Sequence, residues 1–399
     1  MDGAISGGSP ALAQKEAVDN TCGHQYTRTP SRRSGYVGSR SLPINSQPDV
    51  VIFEGNYPAW PWVTRDSRGR LLCTFREDGL ANREDSGHGF SPLGMAMFTF
   101  SVDEGKTWST PGAMVDNPGY DDCCPAIAEL PDGTLLASYY SRLSAGGYSQ
   151  AWVTRSTDGG QSWGPSTKLA EEDTRVRGAP VALSNGDILV PIYRSMFSRL
   201  GHVSMTAISA DGGVTWHDGY VPNTRGGELN EWVAREVEPG RLIGLHRDEH
   251  EETRGFFWKT ESRDWGRTWS HPVRTNVRST LSASPPHLDL HGKSAVMTYS
   301  GERMVSVSMA TTSDPDYLVW DLKGSIQCYR YRADGARIAD ASYPCSVAIG
   351  PHRRLIVDYE IESRITPSSD IAVEYALKRE RKQLTGHFVN TPSEWGAAW

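Results

Sequence analysis

Ser101-Val102-Asp103-Glu104-Gly105-Lys106-Thr107-Trp108 is followed by three stretches of the same form, Ser156 to Trp163, Ser209 to Trp216 and Ser262 to Trp269. Each reads Ser-x-Asp-x-Gly-x-(Thr/Ser)-Trp, and successive copies start 55, 53 and 53 residues apart. A fixed period of this size is the signature of an array of similar supersecondary units. Within each copy the Asp can accept hydrogen bonds from backbone amides further along, and the Gly can take a positive φ, so the eight residues make a tight turn. The closing Trp is placed to plug that turn from below. Strand-like runs precede the copies: Met97 to Phe100, Ala151 to Thr154, Met205 to Ile208 and Phe256 to Lys259. The motif is therefore read as a structural hairpin turn at the outer end of a repeated sheet, in preference to a calcium or ligand site.

A weaker repeat precedes each turn, a Pro or Val, then a Gly-containing turn and an apolar pair. It runs Pro61…Gly69-Arg70-Leu71-Leu72, Pro125…Gly133, Pro180…Gly186, Val233…Gly240 and Pro286…Gly292, and a sixth copy, Pro344…Arg353-Arg354-Leu355-Ile356, lacks the Gly. The fifth unit carries a decayed turn, Ser313…Trp320, that keeps only the first and last positions. Six units of about four strands each imply an all-β fold, a six-bladed β-propeller of four-stranded antiparallel blades. No seventh repeat is visible. The expected organisation is a flexible arm over 1–48, the propeller over 49–370 and a tail over 371–399, with a short charged helix at Glu374 to Lys382.

Composition narrows the partners. The net charge of −7 argues against a general nucleic-acid binder, which needs a cationic face. No run of eighteen apolar residues suggests a membrane span, and the first 40 residues lack the apolar core of a signal peptide. The six cysteines (Cys22, Cys73, Cys123, Cys124, Cys328, Cys345) have no metal-ligand spacing, so neither a metal nor another cofactor is expected. Of the adjacent pair Cys123-Cys124, one thiol is expected buried and one facing a loop.

Chemistry is expected at the mouth of the central channel. The second strand of five units ends in an arginine: Arg76, Arg142, Arg194, Arg247 and Arg303. If the units superpose, these guanidiniums face one region, and a ring of them in an acidic protein favours an anionic ligand. Arginine suits a carboxylate because its planar fork binds both oxygens. The alternative for any one of them is an ion pair between blades.

With these residues in place the chain resembles the Asp-box (BNR-repeat) sialidases over roughly residues 50 to 365. The more specific likeness is Asn230-Glu231-Trp232-Val233 followed by His246-Arg247. In that family a catalytic Glu opens the fourth blade and an arginine of the substrate-carboxylate clamp follows sixteen residues later, which are the positions of Glu231 and Arg247. Tyr343-Pro344-Cys345-Ser346 lies where the family has its nucleophilic Tyr, and Glu360 in Asp358-Tyr359-Glu360 where a Glu orients a clamp arginine. Arg303 is similar in placement to the third clamp arginine. The first one is missing: its Arg-Ile-Pro segment falls on Ala59-Trp60-Pro61. Either Arg76 fills the gap or the ligand is not a sialic acid.

The resemblance implies a retaining exo-glycosidase that removes a terminal acidic sugar, with Tyr343 as nucleophile, Glu231 as its base and Asp85 as general acid. Asp78 and His88 are the alternatives for the acid. Substrate contacts fall to Arg247, Arg303, Arg76, Arg194 and Glu360. A Tyr needs a neighbouring base to act as a nucleophile, and sialidases with a Tyr nucleophile depart from the two-carboxylate scheme of other glycosidases. Two other functions fit the same residues. One is a propeller-type polysaccharide lyase cleaving beside a uronic acid, with Tyr343 or His88 as base. The other is a non-catalytic propeller that only holds an acidic glycan.

Overall fold

The computed structural model describes residues 40–41, 48–79, 91–143, 147–171, 173–194, 202–223, 228–250, 255–280, 283–291, 294–301, 306–330, 337–363 and 382–395. They form six antiparallel sheets arranged in a ring, each sheet one blade. Blade I consists of Ala59–Arg65, Leu71–Asp78, Gly94–Ser101 and Gly112–Val115, from the inner strand outwards. Blade II is Tyr120–Glu129, Leu135–Leu143, Ser149–Ser156 and Thr167–Lys168. In blade III the inner strand is split into Thr174–Val176 and Val181–Ala182, ahead of Ile188–Arg194, Val203–Ser209 and His217–Tyr220. Blade IV is Leu229–Glu238, Arg241–Asp248, Phe256–Ser262 and Val273–Arg278, and blade V is His287–His291, Ser294–Tyr299, Ser306–Thr312 and Asp321–Arg330. The six-bladed propeller read from the repeats is the fold.

Blade VI joins the two ends of the chain. Arg337–Gly350, Arg353–Ser363 and Lys382–Asn390 are completed by Val50–Glu54 as the outermost strand. Lys382–Asn390 therefore belongs to the propeller and not to a tail beginning at 371. Blade strands are covered on both faces, so this one is buried over Leu384, Thr385, Gly386 and His387 together. Such a strand carries no clean polar-apolar alternation. The expected helix lies outside the described residues except for Lys382. Arg40–Ser41, placed in the arm by the sequence reading, pair in parallel with Ile326 and Gln327 of blade V.

The Asp-box turns join the third and fourth strands of blades I to IV. In blade IV, Ser262 Oγ accepts from Gly266 N at 2.8 Å, Asp264 accepts from Thr268 N at 2.9 Å and from Thr268 Oγ1 at 2.6 Å, and Trp269 Nε1 donates to Gly266 O at 2.9 Å. The other copies repeat the Ser and Asp bonds. Each turn also abuts the preceding blade: a Cβ on Gly160 would lie 2.3 Å from Phe98 of blade I, and one on Gly266 2.2 Å from Leu189 of blade III. The Gly is thus required twice over, for its positive φ and for the close approach.

The fifth turn is less decayed than its sequence suggests. Its anchor is Thr312, not Ser313: Thr312 Oγ1 accepts from Asp314 N at 3.0 Å, Asp314 accepts from Leu318 N and Val319 N at 2.9 and 2.8 Å, and Trp320 Nε1 donates to Tyr317 O at 3.2 Å. One extra residue between Asp and Trp breaks the spacing while the bonds survive. Hydrogen bonds from Thr268 and Ser262 hold the Asp264 carboxyl below the usual range despite its partial burial. A group with a depressed folded pKa contributes stability above its unfolded pKa and loses it as pH falls through the folded one. Asp264→Ala is expected to cost about 1–2 kcal/mol at pH 7, with the difference shrinking below about pH 4, as measured by urea unfolding across pH.

Cys123 and Cys124 are both buried, which corrects the expectation of one loop-facing thiol. Burial pushes the thiols of Cys124 and Cys345 up to about 12 and those of Cys73 and Cys123 upward as well. These four are free and protonated at neutral pH.

Candidate functional site

The inner strands carry bulges where an X-Pro pair occurs. Register shifts fall between Ala59 and Trp62, Cys123 and Ala126, and Ser342 and Cys345. At these bulges Trp60, Cys124 and Tyr343 take φ of 54°, 49° and 53°, with Ser342 at 91°. A bulge inserts one residue and re-aims a side chain, and left-handed non-glycine backbone is a strain that surrounding structure must hold in place. At Tyr343 the holding groups are Ser284 Oγ, which accepts from Tyr343 N at 3.0 Å, and Arg177 Nη2, which donates to Tyr343 O at 3.3 Å.

Tyr343 Oη lies 3.0 Å from each carboxylate oxygen of Glu231. Arg247 Nη1 donates to Glu231 Oε2, and its Nη2 pairs with Glu249. Asn230 Nδ2 fixes Glu249 at 2.7 Å, and the Asn230 side-chain oxygen accepts from Glu231 N at 2.7 Å. Tyr343, Glu231 and Arg247 are each less than a tenth exposed. The sequence reading brought these three to one place, and they meet there. It had Arg247 as an open clamp, however, and both ends of that fork already hold protein carboxylates.

Among the described residues the other predicted arginines do not form a ring. Arg76 stands directly opposite Ala59, where the clamp arginine is missing. Its Nε and Nη2 bind Asp121 of blade II at 2.9 and 3.1 Å, and the side chain is fully buried. Arg194 follows Ile188, Val190 and Ile192, which pack with blade II, while Arg247 follows Ile243 and Leu245, which pack in the core shared with blade V. The two strands are out of phase by one residue, so these arginines face opposite ways. Arg194 sits 5.6 Å over the ring of Tyr220 at the blade's outer edge. Glu360 is buried opposite Ala341, and its neighbour Tyr359 is the residue whose ring lies 6.3 Å from that of Tyr343. Asp85, His88 and Arg303 lie outside the described residues. Asp78 is buried with an oxygen 3.5 Å from Arg76 Nη2.

Several site residues escaped the sequence reading. Arg177 of blade III lies 5.3 Å over the Tyr343 ring and 5.5 Å over that of Trp62, donates to Pro61 O at 3.1 Å, and is 2% exposed. Its Nη1 has no hydrogen-bond partner among the described residues. In sequence Arg177 stands out only as the second of two arginines at period two, Arg175-Val176-Arg177, ahead of Pro180, which does not give its direction. Trp60 packs edge-on against Tyr343 at 6.4 Å. Tyr57 and Tyr359 both donate to Asp340 Oδ2, at 2.5 and 2.9 Å, which puts a buried carboxylate behind the aromatic cluster.

Glu77 stands where the end of blade VI passes into blade I. Its Oε1 accepts from Asn56 N at 2.5 Å, and its Oε2 has no partner among the described residues. Burial pushes its carboxyl up to about 7. A folded acid with a raised pKa holds a proton that the unfolded chain has released, so stability falls as pH rises from about 4.3 to about 7. Glu77→Gln is expected to flatten the thermal-stability profile across that interval, and a profile unchanged from the parent would contradict the assignment. His246 is pulled down to about 3 by burial and is structural: it bonds Ser204 and Thr260 and stacks on Trp232.

Residues 69–303 match the BNR repeat-like domain family. The chain belongs to that family. No curated protein matches the chain. Among solved structures, this BNR-repeat propeller is similar to a protein of unknown function from Dyadobacter fermentans, at TM-score 0.69 and 21% identity over 88% of this chain and 100% of that one. It is also similar to the NanB sialidase from Streptococcus pneumoniae, at 0.61 and 13% over 89% and 71%. The leech intramolecular trans-sialidase gives 0.62 and 13% over 90% and 71%. At these identities the likeness establishes a sialidase-like fold. No helix among the described residues is long and apolar enough to cross a membrane.

Proposed function

We propose that this BNR-repeat propeller is a retaining glycosidase of the sialidase type that releases a terminal acidic sugar. The carrying observation is the Tyr343 hydroxyl at 3.0 Å from both oxygens of Glu231, with Arg177 over the ring. In the first step Tyr343 Oη attacks the anomeric carbon and its proton passes to Glu231. The leaving oxygen takes a proton from Asp85, assigned by its placement in the sequence. Water then attacks the glycosyl-tyrosine, giving its proton to Asp85, and Glu231 returns the first proton to Tyr343. A neutral phenol approaches an anionic sugar without the repulsion a carboxylate nucleophile would meet. Arg303 is proposed as a clamp for the sugar's carboxylate, while Arg76 and Arg247 serve as ion-paired supports.

Ala59, in place of the clamp arginine, favours a second reading, a lyase with Tyr343 as the base beside a uronic acid. Fluorogenic α-glycosides of sialic acid and deaminated sialic acid, together with hexuronic-acid oligomers, separate the readings. Hydrolysis of a glycoside with retained configuration supports the glycosidase. An unsaturated, ultraviolet-absorbing uronide would establish the lyase. Binding without turnover would leave a glycan-binding propeller.

A further inference from the structure

A groove of about 640 Å³ lies along one face of blade II, beside the Asn117-Pro118 link from blade I. It crosses every strand of blade II, from Tyr120 on the inner strand past Tyr139 and Ser141, then Gln150 and Trp152, to Lys168 on the outer one, with Ser166 just before it. On the two middle strands the lining residues are two apart, one face of a pleated strand. Between blades II and III, and between III and IV, the facing side chains described are apolar. Beside the groove, the outer strand of blade I, Gly112–Val115, gives way to Asn117-Pro118-Gly119. A Cβ on Gly112 or Gly119 would meet nothing within 4 Å.

The exposed wall is aromatic. Tyr120 is 41% and Tyr148 48% exposed, with Leu143 between them at 40%. Exposed apolar area grouped in a concave site marks a binding surface more often than chance placement does. Between the rings stand polar groups already fixed in direction. Asn117 Nδ2 donates to Asp122 at 2.9 Å and Ser141 Oγ to the same carboxylate at 2.6 Å. Tyr139 Oη bonds Ser166 Oγ at 2.7 Å, and Gln150 Nε2 donates to Ala170 O at 2.7 Å. Fixed donors and acceptors bind at low entropic cost. Among the described lining residues Lys168 alone is ionised, and it pairs with Glu171 at 2.7 Å, so the groove carries little charge for an ionic ligand.

Flat aromatic faces alternating with oriented hydroxyl and amide groups match a sugar, whose ring has an apolar C–H face and a polar rim. We propose that this groove binds a neutral oligosaccharide. It does not require Tyr343 to be a nucleophile. Tyr120 lies four residues, about 13 Å, before Cys124 on the same inner strand.

Isothermal titration of the full chain with lacto-N-tetraose, cellotetraose and xylotetraose tests the proposal. At least one is expected to bind, and Tyr148→Ala and Tyr120→Ala are each expected to weaken it by about tenfold. Both positions are half-exposed, so an unchanged melting temperature separates lost contact from lost fold. Tyr343→Phe is expected to leave this binding unchanged, which keeps the groove distinct from the catalytic reading. No binding by any of the three at about 10 mM would overturn the proposal. So would binding indifferent to both tyrosines, or a preference for a tetragalacturonate over the neutral sugars.

Discussion

Tyr343→Phe is expected to lower kcat by at least about 10³-fold with KM and melting temperature near those of the parent. The substitution removes one oxygen that touches Glu231 and leaves the ring in its contacts with Trp60, Tyr359 and Arg177. Glu231 keeps its bond from Arg247, so no buried charge is stranded and the fold has no reason to weaken. Glu231→Gln tests the other half of the pair: the phenol keeps its position but loses its proton acceptor, worth about 10²–10⁴-fold. Because the two act as one unit, the double variant is expected to be no slower than the worse single one. Single-turnover hydrolysis of the best fluorogenic glycoside reads these numbers. Unchanged hydrolysis by the Phe variant would remove Tyr343 as nucleophile whatever the geometry.

What the sequence made legible follows from what each interaction needs. The turns were legible because Ser, Asp, Gly and Trp bond within eight residues, so the pattern is local. Where one residue was inserted, at Thr312 to Trp320, the bonds remained and the pattern was lost to the eye. Glu231 and Tyr343 could be placed through the register of the blades and the family likeness, but their meeting joins blades IV and VI, 112 residues apart in sequence. Arg177 was missed because its importance is a matter of direction: it reaches Pro61 and Tyr343 across the ring, and nothing in Arg175-Val176-Arg177 says so. The arginine ring failed for the same reason. Strand phase decides which face a side chain takes, and a shift of one residue sends Arg194 outward while Arg247 turns to Glu231. The closing strand Lys382–Asn390 was hidden because burial on both faces erases alternation.

Arg177→Met is expected to lower kcat by about 10²-fold with a smaller change in KM. The guanidinium lies 5.3 Å from the centre of the Tyr343 ring. At an effective dielectric constant of about 20, a unit charge at that distance stabilises a phenolate by about 3 kcal/mol, and each 1.4 kcal/mol is tenfold in rate. Burial decides how that charge can act. At 2% exposure Arg177 is packed beneath the tyrosine, where it acts on charge developing at the phenol as the glycosyl-tyrosine forms and breaks, and has little surface to offer a sugar carboxylate. Its Nη2 also ties Pro61 O to Tyr343 O, so Met leaves two carbonyls without that donor and the melting temperature should fall as well. Arg177→Lys separates the two effects, since it keeps the cation and loses the fork. A Lys variant that recovers most of kcat while remaining less heat-stable than the parent would place the rate effect on charge. A Met variant with unchanged kcat and a KM raised only for acidic substrates would mean that Arg177 is a carboxylate clamp. In that case the arginine missing at Ala59 has been replaced from blade III, and the terminal sugar would have to lie deeper in the channel than Tyr343 alone requires.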